Sequence, residues 1–198
     1  MLLYASRVSG NCYKVRLLLA QLGLGYERRE VDVADRSQRK EILGDLNPAL
    51  RVPTLVLDDG RPLAESNAIL WYLADGTQYV PAVDAFDRAK VLQWMFFEQY
   101  SHEPYVAVAR FLRMFRPDVD PDVLAEKQRL GYLALDALER GLDGRAFLVG
   151  DAHSIADIAL YAYTHVAGEG GFDLAVYPAI RTWLDRVAAQ PGHVTIDA

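Results

Sequence analysis

The sequence predicts a small α/β unit followed by an all-α unit, and its patterning carries that division. Segments with strand character all fall before about residue 65, alternating with helical patterns up to Gly76, and beyond Gly76 the apolar spacing is helical throughout. The expected domains are 1–77 and 84–198, with 78–83 as a linker.

Residues 2–5 form a short buried strand, and Ser6 to Asn11 a loop into a helix from about Cys12 to Leu22. Val15, Leu18, Leu19 and Leu22 share one helical face, and Gly23 ends the helix. Tyr26 to Val33 is a second strand, charged enough for a sheet edge. A short helical or irregular stretch from Gln38 to Leu46 ends at Asn47-Pro48. Thr54 to Leu57 and Pro62 to Ala64 pair through an Asp59-Gly60 hairpin turn, and Glu65 to Ala74 closes the unit as a helix. The order is βαβαββα, a four-stranded sheet with helices packed on it.

In the second unit, one long helical pattern from Asp84 to about Phe115 contains Pro104, where a kink or break is expected. Asp120-Pro121 opens a helix to about Arg140 as an N-cap followed by a first-turn proline. Ser154-Ile155-Ala156-Asp157 is an acid-containing capping box before an apolar helix, and Pro178 opens the last helix with Ile180, Trp183, Leu184 and Val187 inward.

With 52% hydrophobic and 24% charged residues and no low-complexity tract, the chain is expected to be globular throughout. Its net charge of -6, with basic residues scattered among acids, argues against a nucleic-acid partner. No apolar run of 18 residues and no signal-like N-terminus are present, so a cytoplasmic protein without a membrane partner is expected. The single cysteine, Cys12, rules out an internal disulfide. No two of the four histidines share the i, i+4 spacing of a helical ligand pair, and no metal is assigned.

Chemistry concentrates at Ser9-Gly10-Asn11-Cys12, between a buried strand and the first helix, where unpaired backbone N–H groups and the helix dipole favour an anion. A thiolate suits that position. A serine there also serves as an ordinary N-cap. Ser9-x-x-Cys12 occupies the place of a Cys-x-x-Cys redox motif, but its fourth position packs inside the helix, so Cys12 is expected to be a small core residue.

Taken with Asn47-Pro48 five residues before Pro53, Glu65-Ser66 and the helices that follow, the chain resembles a cytosolic glutathione transferase over essentially its whole length. The serine-type bacterial branches, theta-like or nu-like, look most similar. The resemblance implies a thioredoxin-like first domain, a helical second domain and glutathione as co-substrate. Ser9, with Asn11 as an alternative donor, would hold the thiol as thiolate. A small thiol has a pKa of about 8.5, so ionising most of it at neutral pH requires a drop of roughly two units, about 2.7 kcal/mol. One charge-assisted hydrogen bond contributes about 1.5–3 kcal/mol and a helix N-terminus about 0.3–1 kcal/mol, so Ser9 suffices without a general base.

By the same resemblance, Val52-Pro53 matches a cis-proline pair whose backbone meets the cysteinyl part of glutathione. Glu65 and Ser66 match the pair that holds the γ-glutamyl ammonium and carboxylate. Gln38 and Arg51 match positions facing the glycyl carboxylate, with Arg39 and Lys40 as substitutes or a solvated face. A second, hydrophobic electrophile would lie between the domains, against the 5–8 loop and Phe97, Tyr100, Tyr105 and Arg110, with Arg110 facing an acidic group on it. A homodimer acting in detoxification is implied, Trp94 to Phe96 providing apolar surface. Glutathione-dependent reduction of peroxides or disulfides, isomerisation, and non-catalytic binding are the alternatives.

Overall fold

The structure is a computed structural model that describes residues 1–81 and 84–198. Residues 82 and 83 of the expected linker lie outside the described residues. The chain divides into unit 1, Met1–Asp75 with Pro191–Ala198, and unit 2, Gly76–Gln190.

In unit 1 the strands β1 (Leu2–Ala5), β2 (Glu27–Glu30), β3 (Thr54–Val56) and β4 (Pro62–Ala64) form one sheet in the order β2-β1-β3-β4. β1 pairs parallel with β2 and antiparallel with β3, and β3 pairs antiparallel with β4. The charged β2 is an edge strand with all four residues exposed, as its composition requires. Alternation along β1 sorts the core into two layers. Leu3 and Ala5 pack with Leu55 against Cys12, Val15 and Leu19 of α1 (Gly10–Gln21) and Ile69 of α3 (Ser66–Ala74). Tyr4 faces the other way, with Val31 and with Leu43 of α2 (Arg39–Leu43).

The return of residues 191–198 to unit 1 departs from the expected division. Arg16 in α1, 2% exposed, explains it: its guanidinium donates to the carbonyls of Ile196 and Ala198 at 2.7 and 2.6 Å and to that of Arg7 at 3.1 Å. The Tyr13 hydroxyl donates to the Val194 carbonyl at 2.7 Å. Nothing in the composition of Pro191 to Ala198 signals that attachment.

Unit 2 contains α4 (Ala85–Phe97), α5 (Glu103–Phe115), α6 (Pro121–Leu142), α7 (Ile155–Thr164) and α8 (Pro178–Ala188). The expected break near Pro104 takes the form of a π-helical turn, Glu98–His102, in which the Glu103 amide reaches back to the Glu98 carbonyl. A proline cannot donate to the carbonyl four residues earlier, and widening the turn before it relieves the clash of its ring with that carbonyl. α6 carries Gly131 and Gly141 where a side chain would collide with Phe172 and Trp94, so both aromatics lie directly on its backbone. α7 is buried along its whole length. Its Asp157, fully buried, accepts from the Leu148 and Ser154 amides, the Ser154 hydroxyl and the Trp183 indole at 2.9–3.0 Å. The Ser154–Asp157 capping box is thus also an anchor for α8.

Candidate functional site

Sheet register brings the predicted site residues of unit 1 to one end of the sheet. Tyr4 of β1 is opposite Thr54 of β3, and Thr54 is opposite Ala64 of β4. The chain leaving β1 toward Ser9, the chain entering β3 through Val52-Pro53, and the chain leaving β4 into Glu65-Ser66 therefore meet at the same edge. A direct contact joins two of them: the Ser66 hydroxyl donates to Asn11 Oδ1 at 3.2 Å.

Ser9 is the N-cap of α1, with extended backbone (φ -81, ψ 121), and its Oγ accepts from the Cys12 amide at 3.3 Å. Its side chain is half-buried, and the first turn of α1 carries no acid, so the positive end of the helix dipole is left for an anion. Cys12 is fully buried, and its sulfur accepts from the Ser6 amide at 3.3 Å. Burial pushes its thiol up to about 11, against smaller opposing effects of the Ser9 hydroxyl and the Ser6 amide. Such a thiol is protonated at neutral pH and is not a nucleophile.

The Val52-Pro53 peptide is cis. Asn47, 3% exposed, fixes the approach to it: its Nδ2 donates to the Arg51 carbonyl at 2.9 Å and to Thr54 Oγ1 at 3.0 Å, and its Oδ1 accepts from the Ala49 amide at 2.9 Å. Thr54 Oγ1 donates to the same Arg51 carbonyl at 2.9 Å. These bonds brace the chain on both sides of Val52-Pro53. Glu65 has φ 67 and ψ 115, outside the regions open to side-chain-bearing residues, while its carbonyl already accepts from the Ile69 amide of α3. A conformation of that kind costs about 1–3 kcal/mol and persists only where the surroundings fix it. It holds the exposed Glu65 carboxylate beside the N-terminus of α3, next to buried Ser66.

Gln38 and Arg51 are exposed. Arg39, weighed as a substitute anion-binding group or a solvated residue, is neither. It is 7% exposed, and its guanidinium donates to the carbonyls of Asp32, Val33 and Leu50 at 3.0–3.3 Å, tying the segment after β2 to the bend before β3. A residue not singled out by sequence is Lys14, fully buried in α1, whose ammonium lies 3.4 Å from Ser66 Oγ and 3.5 Å from Asn67 Oδ1. Its i+3 spacing from Asn11 puts the two on one face of α1, which is the signal that finds it.

The residues expected to meet a second substrate belong to unit 2. Tyr100 is 84% exposed, Phe97 packs edge-on against Trp94 at 5.4 Å between centroids, and Lys127 lies over the Tyr105 ring at 5.3 Å. Arg110 differs from expectation. It is buried, and its Nε donates to Glu169 Oε2 at 2.6 Å, so the acid it meets belongs to its own unit and its charge ties α5 to the 3₁₀ turn Ala167–Gly170 that follows α7. His102, near Pro104, is buried within 3.1 Å of Thr164 Oγ1. Of the expected dimer surface, Met95 is buried and Phe96 is 69% exposed. Among the described residues no group of three or more His, Cys, Asp or Glu is placed to hold a metal, and no helix is long and apolar enough to cross a membrane.

Residues 8–75 match the family described as glutathione S-transferase, N-terminal domain, and residues 94–191 that described as glutathione S-transferase, C-terminal domain. The chain is similar to the crystal structure of a glutathione S-transferase from Pseudomonas fluorescens, with a TM-score of 0.95 and 49% identity over 98% of each chain. It is similar also to that of a possible glutathione S-transferase from Rhodopseudomonas palustris, with a TM-score of 0.89 and 44% identity over 100% of this chain and 97% of the other. The disulfide-bond oxidoreductase YfcG of Escherichia coli is 30% identical over 191 residues, 91% of this chain and 87% of that protein.

Proposed function

The chain belongs to the glutathione S-transferase family, and from that premise we propose that it binds glutathione at the sheet end of unit 1 and holds the thiol as thiolate for attack on a small hydrophobic electrophile. The observation that carries the reading is the Ser9 hydroxyl: half-buried at the N-terminus of α1, with the weakly accepting Cys12 sulfur beside it and no acid in the first turn to compete for its hydrogen. Its lone pair takes the Cys12 amide, and its O–H donates to the glutathione sulfur.

In this reading the Val52 backbone pairs with the cysteinyl residue, Glu65 takes the γ-glutamyl ammonium, and the α3 N-terminus at Ser66 takes the adjoining carboxylate. Gln38 and Arg51 take the glycyl carboxylate. The sulfur proton passes to solvent, the thiolate lone pair forms the new C–S bond, and the leaving group departs with its electron pair. Asn11 is the second donor to sulfur. A cytoplasmic homodimer acting in detoxification completes the proposal, and sedimentation at micromolar concentration tests the dimer.

The experiment that tests the reading is titration calorimetry with glutathione, coupled to the thiolate absorbance of the complex and to chloro-dinitrobenzene turnover. Wild type is expected to bind and to lower the thiol pKa. Ser9→Ala, with binding retained, is expected to raise that pKa and slow turnover. Unchanged turnover in Ser9→Ala removes the proposed role.

The likeness to a disulfide-bond oxidoreductase favours a second reading, reduction of a disulfide by two glutathiones. The bound thiolate attacks one sulfur, the first thiol leaves, and a second glutathione thiolate resolves the mixed disulfide, releasing the second thiol and oxidised glutathione. The buried, protonated Cys12 takes no part, so Cys12→Ser retains this activity; its loss would assign the redox step to the protein thiol.

A further inference from the structure

A buried ammonium stands behind the proposed thiol site. Lys14 is fully buried in α1, with Nζ 3.4 Å from Ser66 Oγ and 3.5 Å from Asn67 Oδ1, and Ser66 Oγ in turn lies 3.2 Å from Asn11 Oδ1. An ammonium has three hydrogens and no lone pair, so no hydroxyl hydrogen can point at it. The contact is long, but its sign is fixed by charge: Ser66 presents its oxygen to Lys14 and must send its single hydrogen elsewhere. The hydrogen goes to Asn11 Oδ1.

That bond decides which way the Asn11 amide faces. With Oδ1 turned to Ser66, Nδ2 is turned away from it, and the Asn11 side chain acts at the α1 N-terminus as a donor. Were the amide reversed, Ser66 would face two donors at once and its own hydrogen would need another acceptor. We infer that Lys14 is a positioning residue for the thiol, acting through Ser66 to hold the Asn11 amide with its N–H groups toward the sulfur of bound glutathione. The inference rests on the glutathione reading of this site. It also changes the expected role of Ser66: its hydroxyl hydrogen serves Asn11, which leaves its backbone amide and the α3 N-terminus for the γ-glutamyl carboxylate.

The test is the pKa of the glutathione thiol in the binary complex, followed by thiolate absorbance against pH, in wild type, Lys14→Met, Asn11→Ala and the double variant. Lys14→Met is expected to raise the bound thiol pKa by about one unit, and to lower kcat at neutral pH by up to about tenfold with little change in KM for glutathione. In the Asn11→Ala background the same substitution is expected to add nothing further to the pKa. Lys14→Gln, which keeps an N–H donor for Ser66 without the charge, is expected to restore most of the wild-type value; it gives the same cycle if Lys14→Met does not fold. The inference is overturned if Lys14→Met leaves the thiol pKa in place, if it shifts it equally in the Asn11→Ala background, or if Lys14→Gln behaves no better than an Asn11→Ala enzyme. An unmoved pKa in Asn11→Ala beside a raised one in Ser9→Ala overturns Lys14's role while the glutathione reading stands. Absence of any glutathione-dependent absorbance in wild type removes both.

Discussion

Ser9 opens α1 in unit 1 and Ser154 opens α7 in unit 2, both with extended backbone at the cap, yet their hydroxyls have different neighbours. Three residues after Ser154 stands Asp157, which takes both the Ser154 amide and the Ser154 hydroxyl hydrogen at 2.9 Å. Three residues after Ser9 stands Cys12, whose sulfur takes the Ser6 amide and has the Ser9 hydroxyl beside it. The identity of that third residue separates a cap whose hydroxyl hydrogen is held by a carboxylate from one whose hydrogen meets a neutral thiol, a weak acceptor that a ligand thiolate can displace. A serine before a helix is informative about function only when the residue at the third helical position is read with it.

The contrast can be broken most severely in unit 2. Asp157→Ala leaves two amides, a hydroxyl and an indole without their acceptor in a fully buried place, and is expected to lower stability by about 3–5 kcal/mol in urea unfolding. Ser9→Ala is expected to show the reverse balance: turnover with glutathione falling by about 10- to 100-fold, roughly 1.4–2.7 kcal/mol in the barrier, against a cap loss of only about 0.5–1 kcal/mol in stability. Ser154→Ala should cost about 1–2 kcal/mol in unfolding and leave the bound thiol pKa where it was; a shifted pKa would break the distinction between the two caps.

Cys12 sharpens the comparison through pH. Burial raises its folded thiol pKa to about 11, above the ordinary 9.0, so its contribution to stability is complete below about pH 9 and is lost as pH rises through 11. Cys12→Ala is therefore expected to flatten the alkaline loss of stability in that window. Iodoacetamide at pH 8 should label the unfolded chain and spare the native one. The smallest effect belongs to Glu169→Gln: the half-exposed partner of Arg110 is expected to contribute no more than about 1 kcal/mol, measured by denaturant midpoint.

The order of strands and helices was legible because each boundary carries its own chemistry: Asp59-Gly60 for the hairpin, the charged β2 for an edge, Pro121 and Pro178 for helix starts. The convergence of Ser9, Val52-Pro53 and Glu65-Ser66 follows from register, so the outline of the candidate site was legible too. What escaped was the fate of long cationic side chains. Lys14, Arg16, Arg39 and Arg110 have the composition of a solvated surface, and all four are buried. Their charged ends meet backbone carbonyls or polar side chains brought in from other segments, and a local pattern gives at most the shared face, as the Asn11–Lys14 spacing does, and not the partner. The π-helical turn before Pro104 was visible as a break but not in kind, since a proline in a helical pattern admits either a kink or a widened turn.

The attachment of residues 191–198 to α1 makes unit 1 discontinuous: it is left at Asp75 and taken up again at Pro191, after the whole of unit 2 in sequence. During synthesis the candidate thiol site therefore emerges from the ribosome well before the backbone oxygens that accept from Arg16, and for that interval an arginine destined for the interior has no interior to enter. A gene fragment cut at the apparent domain boundary inherits the same defect permanently, so residues 1–75 on their own are a poor surrogate for the site they contain.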